Sequence, residues 1–378
     1  MGMGLSKYKI GDLISVVDER NMEGGRDFYG VNINKEFMPT AANTDGLNEK
    51  KYKVIRKERF VFSGMQTGRD ECIRISMYMD ENPIIVSPAY TTFEVTAADK
   101  VIPLYFFMVF LSKEKDRLGW FYSDSSIRAN LDWDRFCDIE LTLPPLSIQR
   151  KYVAIYQAML ENQKSYERGL EDLKLTCDAY IENLRRVMPC EKIGPYLVES
   201  DRRNDMGLGA DAVRGLATSK EMIPTKADMK GVNLSNYKTV SPRQIAYVPD
   251  TSRRGDKISM GINQTEETFL VSSISAVFGT KPENLLPEYL MLFLTRTEFD
   301  RYSRFHSWGS ARETFDWSEM CDVEIPIPDL SVQKSIANIY KSYITRKEIN
   351  EKLKSQIKSL CPILIKGSLE EGQRESAV

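Results

Sequence analysis

The chain repeats itself, and this duplication restricts what it can fold into more than any other property of the sequence. Two copies of a unit about 184 residues long follow one another: Lys9-Ile10-Gly11 recurs as Lys192-Ile193-Gly194, and Asp18, Arg20 and Asn21 recur as Asp201, Arg203 and Asn204. Between Lys35 and Lys53, 9 of 19 positions are identical to Lys220 through Lys238, where chance gives about one. Farther along, Arg128, Asp132, Trp133, Cys137 and Asp138 meet Arg312, Asp316, Trp317, Cys321 and Asp322. The match runs on through Glu140, Pro144, Leu146, Ser147 and Gln149 to Glu324, Pro328, Leu330, Ser331 and Gln333. A duplicated chain builds two like domains, and a pseudo-two-fold pair is the simplest closed arrangement for them.

Each copy has the same internal plan. Short β-type runs such as Arg59 to Phe62, Ile84 to Val86 and Phe269 to Ile274 stand between turn-rich stretches, which predicts mixed α/β domains over 1–146 and 189–330. Proline then excludes helix at Leu143-Pro144-Pro145-Leu146-Ser147 and Ile327-Pro328-Asp329-Leu330-Ser331, where each Ser is placed to cap a long helix. The helices are expected over 147–188 and 331–366, with a flexible tail at 367–378.

In the second helix a heptad puts Ile336, Tyr343, Asn350 and Ile357 at one seam position and Ile339, Arg346, Leu353 and Leu360 at the other. The first has an apolar stripe (Val153, Tyr156, Leu160, Leu170, Leu173, Cys177, Ile181, Leu184) with a slip around Gln163 to Glu167. Helices this long and half-apolar need partners, and these two can supply each other. The expected fold is thus α/β: two tandem mixed α/β domains, each followed by a long helix, the helices pairing as an antiparallel coiled coil with one domain at each end. Trp133, Trp317, Cys137 and Cys321, in a strand-like setting, are expected in the core, as are helices opening at Pro103 and Pro287.

Several classes of chemistry are missing their motifs. No Asn-Pro-Pro-aromatic or Asp-Pro-Pro-aromatic tetrapeptide occurs, and no G-x-x-x-x-G-K-[ST], so neither an amino-methyltransferase nor an ATP-driven motor is indicated. Pro249-Asp250 lacks the following acidic-x-Lys of a nuclease. The single histidine, His306, and six cysteines without a C-x-x-C pair give no metal or catalytic constellation. The longest apolar run, Val101 to Leu111, is too short to span a membrane, which makes a cytoplasmic protein the expectation.

A duplicated α/β unit, each copy closing on Pro-x-Leu-Ser-x-Gln at the mouth of a long helix, resembles the specificity subunits of type I restriction-modification systems. Leu143 to Gln149 and Ile327 to Gln333 carry the likeness, together with Ser126 to Trp133 and Gly309 to Trp317 upstream. The family usually has Glu before that Gln, where this chain has Ile148 and Val332. The resemblance implies two target recognition domains that bind double-stranded DNA at a two-part site, with no catalysis and no cofactor in this chain. It also implies two methyltransferase subunits carrying S-adenosylmethionine, and restriction/translocase subunits. A duplicated protein-protein scaffold, or the reader of a fused restriction-methylation enzyme, remains the alternative.

With a formal charge of −2, any DNA-binding surface has to be a local patch. In the first copy Lys50, Lys51, Lys53, Arg56, Lys57 and Arg59 crowd into ten residues, followed by Gln66, Arg69 and Arg74. Lys238 repeats Lys53, and Arg253, Arg254 and Lys257 align near Arg69. Arg128 and Arg312 complete the candidates for phosphate or base contact, with a salt bridge to Asp132 or Asp316 as their other reading.

Overall fold

The computed structural model describes residues 4–40, 43–44, 46–65, 67–124, 129–251, 257–309 and 312–375. The first copy contains β1 (Ser6–Lys9), β2 (Ile14–Val16), β3 (Phe28–Val31), β4 (Phe37–Pro39), β5 (Lys53–Ile55) and β6 (Phe60–Ser63). There follow α1 (Thr67–Asp70), β7 (Arg74–Met77), β8 (Ile84–Val86), β9 (Thr91–Val95), α2 (Pro103–Phe110), α3 (Lys113–Tyr122), α4 (Trp133–Asp138), β10 (Glu140–Leu143) and the long α5 (Leu146–Val187). The second copy repeats the order: β11 (Cys190–Lys192), β12 (Leu197–Ser200), β13 (Arg214–Leu216), β14 (Met222–Pro224), β15 (Lys238–Val240), β16 (Ile245–Tyr247) and β17 (Met260–Ile262). It continues with β18 (Phe269–Val271), β19 (Ala276–Thr280), α6 (Pro287–Leu294), α7 (Thr297–Phe305), α8 (Trp317–Cys321), β20 (Glu324–Pro326) and the long α9 (Leu330–Glu375).

These elements form two compact units, Met1–Ser165 with Asn350–Val378, and Tyr166–Ile349. In the first, a four-stranded sheet in the order β2-β9-β6-β7 lies beside a second in the order β4-β3-β8-β5. The second unit repeats the first sheet as β12-β19-β16-β17 and splits the other into the pairs β13-β14 and β15-β18. In both, the opening strand pairs antiparallel with the strand before the long helix: Ser6 faces Leu143 in one, Cys190 faces Pro326 in the other.

The strands are short, so burial rather than ladder length holds the sheets. Phe60 stacks on Phe93 at 4.9 Å between centroids and Phe62 on Phe136 at 4.4 Å, under the fully apolar α2. Tyr247, Phe278 and Phe315 fill the same place in the second unit, under α6. Each such buried side chain contributes about 1.5–3 kcal/mol by area removed from water. Pro103 and Pro287 open their helices at the first turn, as the sequence predicts.

Each unit completes its core with pieces of both long helices. Val153 and Tyr156 of α5 and Ile357 and Cys361 of α9 belong to the first core. Cys177 and Ile181 of α5 and Ile336 and Tyr340 of α9 belong to the second. The segments run antiparallel: in the first unit Tyr152 bonds Glu371 and Gln163 bonds Asn350.

Details of the helices differ from expectation. They open at Leu146 and Leu330, so Ser147 and Ser331 sit inside the first turn, where the backbone N–H groups of Gln149 and Gln333 donate to the carbonyls of Pro145 and Asp329. The seam of α9 follows Ile336, Tyr340, Asn350, Ile357, Cys361 and Ser368, while Leu360 is exposed. Ile336, Asn350 and Ile357 keep the first assigned row, while the second lies one residue later than assigned, at Tyr340 and Cys361 in place of Ile339 and Leu360, four positions after the first row instead of three. The helix also continues to Glu375 rather than ending at 366 before a tail. Ser368 bonds the buried Tyr105 hydroxyl at 2.7 Å, and Gly372 lies against Leu5 and Pro144. Trp133 and Trp317 open short helices, not strands, and are partly buried at the edge of their cores.

Candidate nucleic-acid interface

Three side-chain devices, the same in both copies, build the frame. The first is the glutamine of the Pro-x-Leu-Ser-x-Gln element. Gln149 Nε2 donates to the carbonyls of Lys100 and Pro144, both at 2.8 Å, and its Oε1 accepts from the Ile102 N–H at the mouth of α2. Gln333 does the same with Asn284, Pro328 and Leu286. Both are fully buried, so each side chain stitches the start of a long helix to its globular domain and satisfies groups that water cannot reach.

The second device is a buried lysine. Lys35 and Lys220 sit at left-handed backbone positions (φ 63° and 67°) and drive their ammonium groups into the domain. Lys35 donates to the Phe110 carbonyl and to Asp116 at 2.6 Å; Lys220 donates to the Ile258 carbonyl and to Asp300 at 2.5 Å. Burial pushes the Lys220 ammonium down from its ordinary value, against the pull of Asp300. A buried charge persists only with such a partner, so these pairs tie the strand hairpins to α3 and α7.

The third is a surface clasp. Arg20 bonds Asp18 and the Lys51 carbonyl, while Lys53 lies 3.5 Å from Asp18. Arg203 bonds Asp201 and the Asn236 carbonyl, while Lys238 lies 2.9 Å from Asp201. A close approach accompanies it: a Cβ on Gly11 or Gly194 would lie 3.1 or 2.8 Å from the Cβ of Cys137 or Cys321, which accounts for the Gly in both copies.

Much of the basic run at 50–59 is therefore engaged within the fold. Arg56 grips Glu19 through Nε and Nη2, Arg59 bonds Glu19 and lies 3.8 Å from Glu94, and Lys57 pairs with Glu81. The two guanidinium groups, Arg56 foremost, hold the Glu19 carboxyl down to about 2. Lys53 and Lys238 belong to the clasps. Lys50 and Lys51 sit exposed on the short turn Glu49–Lys51.

The other described candidates, Arg69, Arg74, Lys257 and Arg312, lie near the place in each unit where three segments meet. In the first unit the α1 loop, the end of α3 and the strand-like segment before α4 converge: Gly68 N–H donates to Ala129, and Leu131 N–H to Gly64. Arg69 lies there, paired with Asp70, which also takes Arg74. In the second unit Thr251 bonds Ser307 and Glu313, and Phe315 N–H donates to Pro249. Arg312 and Lys257 are exposed at this end. Gln66, Arg128, Arg253 and Arg254 lie outside the described residues. His306 stacks on Tyr302 and bonds Glu319 at 2.9 Å, a structural arrangement.

Sequence reasoning missed the Lys35–Asp116 and Lys220–Asp300 pairs, although the 184-residue offset that relates Asp116 to Asp300 was open to it. Among the described residues no group of three or more His, Cys, Asp or Glu is placed to hold a metal ion, and no helix is long and apolar enough to cross a membrane.

Residues 254–359 match the family profile described as the type I restriction modification DNA specificity domain. The fold is similar to the crystal structure of the type I restriction-modification system S subunit from M. genitalium: TM-score 0.58 at 10% identity, covering 97% of this chain and 96% of that one. A structure described as the basis of complex assembly and conformational transition of the type I R-M system matches at TM-score 0.43 and 14% identity over 97% and 98% of the two chains. The HsdS subunit from Thermoanaerobacter tengcongensis matches at 0.36 and 15% over 97% and 96%. No curated protein sequence matches the chain. Residues 254–359, in the second copy, are thus similar to the type I restriction modification DNA specificity domain, and the chain has a fold similar to that of a type I S subunit, the likeness that its repeat suggests.

Proposed function

We propose that the chain is the DNA-reading specificity subunit of a cytoplasmic type I restriction-modification complex, each unit reading one half of a bipartite site. The observation that carries this reading is the contrast between frame and loops. The Gln, Lys–Asp and Asp–Arg–Lys devices are the same in both copies, whereas the converging loops differ: Gly64 to Ile73 in one, Pro249 to Ile258 in the other. Identical frames with unlike loops suit two readers of different sequences, hence an asymmetric site.

Phosphate contacts position such a reader, and base contacts discriminate by about 1–3 kcal/mol per mismatched pair. The catalysis comes from partners: two methyltransferase subunits that hold S-adenosylmethionine and flip an adenine in each half-site, joined by restriction/translocase subunits for cleavage. Methylome sequencing of cells expressing the chain with its cognate methyltransferase tests this. One asymmetric bipartite adenine motif is expected, and exchanging residues 1–146 changes one half of it only. Absence of a motif, or two unchanged halves after exchange, overturns the reading.

A further inference from the structure

The two most exposed large apolar side chains among the described residues are Phe121, 80% exposed, and Phe305, 76% exposed. They stand 184 residues apart, at equivalent positions of the repeat. One helical turn earlier on α3 and α7 stand Arg117 and Arg301, also equivalent, with side chains 74% and 76% exposed. Each Arg faces a Glu three residues before it, Glu114 at 3.1 Å and Glu298 at 3.9 Å. Spacings of three and four residues put Glu, Arg and Phe on one helix face. Each Phe ring is braced edge-on by the next aromatic, Tyr122 or His306. The neighbouring Asp116 and Asp300 point inward to the buried lysines, so the same short segment carries one structural residue and one outward stripe.

An exposed Phe contributes nothing to the core, and its appearance once is unremarkable. Its appearance twice at one repeat position, with the same Arg and Glu beside it, calls for a ligand met by both copies. We propose that the Glu-Arg-Phe face of α3 and of α7 docks a protein partner bound twice, one copy per unit. The inference rests on the reading above, in which the methyltransferase subunit is such a partner.

Two observations favour protein over DNA as the occupant. The half-sites read by unlike loops differ, whereas two identical subunits press the same residues into use on both units. The carboxylate beside each Arg also opposes phosphate, while an aromatic and an Arg together have the composition of protein interface anchors. The complementary surface is an apolar pocket for the ring, with a carboxylate on its rim to take the Arg and a cation for the Glu.

Native mass spectrometry and titration of the full chain with its cognate methyltransferase subunit test this. The unaltered chain binds two copies. Phe121→Ala or Phe305→Ala weakens binding at one site by about thirtyfold, and the double variant weakens both. Arg117→Glu with Arg301→Glu gives the same loss by charge and serves as a second readout should a Phe variant misfold. An unaltered chain that binds no copies overturns the proposed function, and this inference with it. Two copies on the unaltered chain and two at equal affinity on the double variants overturn this inference alone. Two copies retained with lost affinity for duplex DNA overturn it in favour of a DNA contact.

Discussion

Glu19 shows how a single carboxylate decides what a basic run is for. It accepts from Arg56 and Arg59, and these contacts depress its folded pKa from 4.5 to about 2. A depressed carboxyl contributes stability above its unfolded pKa, and that contribution is lost as pH falls through the folded one. Glu19→Gln is therefore expected to lower stability at pH 7 by about 1 kcal/mol, after allowance for solvent screening of a group that is 29% exposed. The difference from the parent should shrink below about pH 4.5 and vanish near pH 2. Urea unfolding of both proteins across that range checks it; a difference that stays constant with pH would show that Glu19 acts by packing rather than charge. If Arg56 and Arg59 served DNA instead, the same variant would free them and strengthen duplex binding.

On the scale of elements, the long helices carry the strongest test. Gln163 and Asn350 are buried in the paired segments of the first unit, joined at 3.0 Å where the apolar stripe of α5 slips. A polar pair in a helix seam fixes register at some cost in stability. Asn350→Leu removes the acceptor of the Gln163 amide and is expected to cost about 1–3 kcal/mol, while adding Gln163→Leu recovers most of that loss. A double-mutant cycle in urea measures the coupling; additive losses would mean the pair is not coupled. The helix starts were legible because Pro144-Pro145 and Pro328-Asp329 forbid helix just before them. The far end of α9 was not, because Gly367, Gly372 and the polar residues after them suggest a tail in sequence, and only the packing of Ser368 and Gly372 on the domain keeps them helical. The repeat likewise disclosed which residues matter to the frame, but not how they are used. Glu19 meets its arginines across 37 and 40 residues of chain, and Lys35 meets Asp116 across 81, separations at which sequence pattern carries no information about contact.

For the whole molecule, the decisive property is that one unit is continuous and the other is not. Tyr166–Ile349 contains every segment of the second unit, whereas the first needs both Met1–Ser165 and Asn350–Val378. Deleting residues 350–378 removes Ile357 and Cys361 from the first core, the acceptor for Gln163, and the Ser368 hydroxyl that bonds the Tyr105 hydroxyl. Each lost apolar side chain costs about 1.5–3 kcal/mol, against a domain stability of only about 5–15 kcal/mol. The second core loses nothing, because Ile336 and Tyr340 lie before the cut. Hydrogen exchange of the truncated chain should therefore show protection lost across the strands of residues 1–165 and kept across those of residues 197–280. Equal loss in both would mean that the units fold as one cooperative block, and equal retention would mean that the C-terminal segment of α9 covers the first domain without stabilising it. Under the function proposed above, the same deletion is expected to erase one half of the methylation motif, because a reader whose frame has melted cannot hold its loops against base edges.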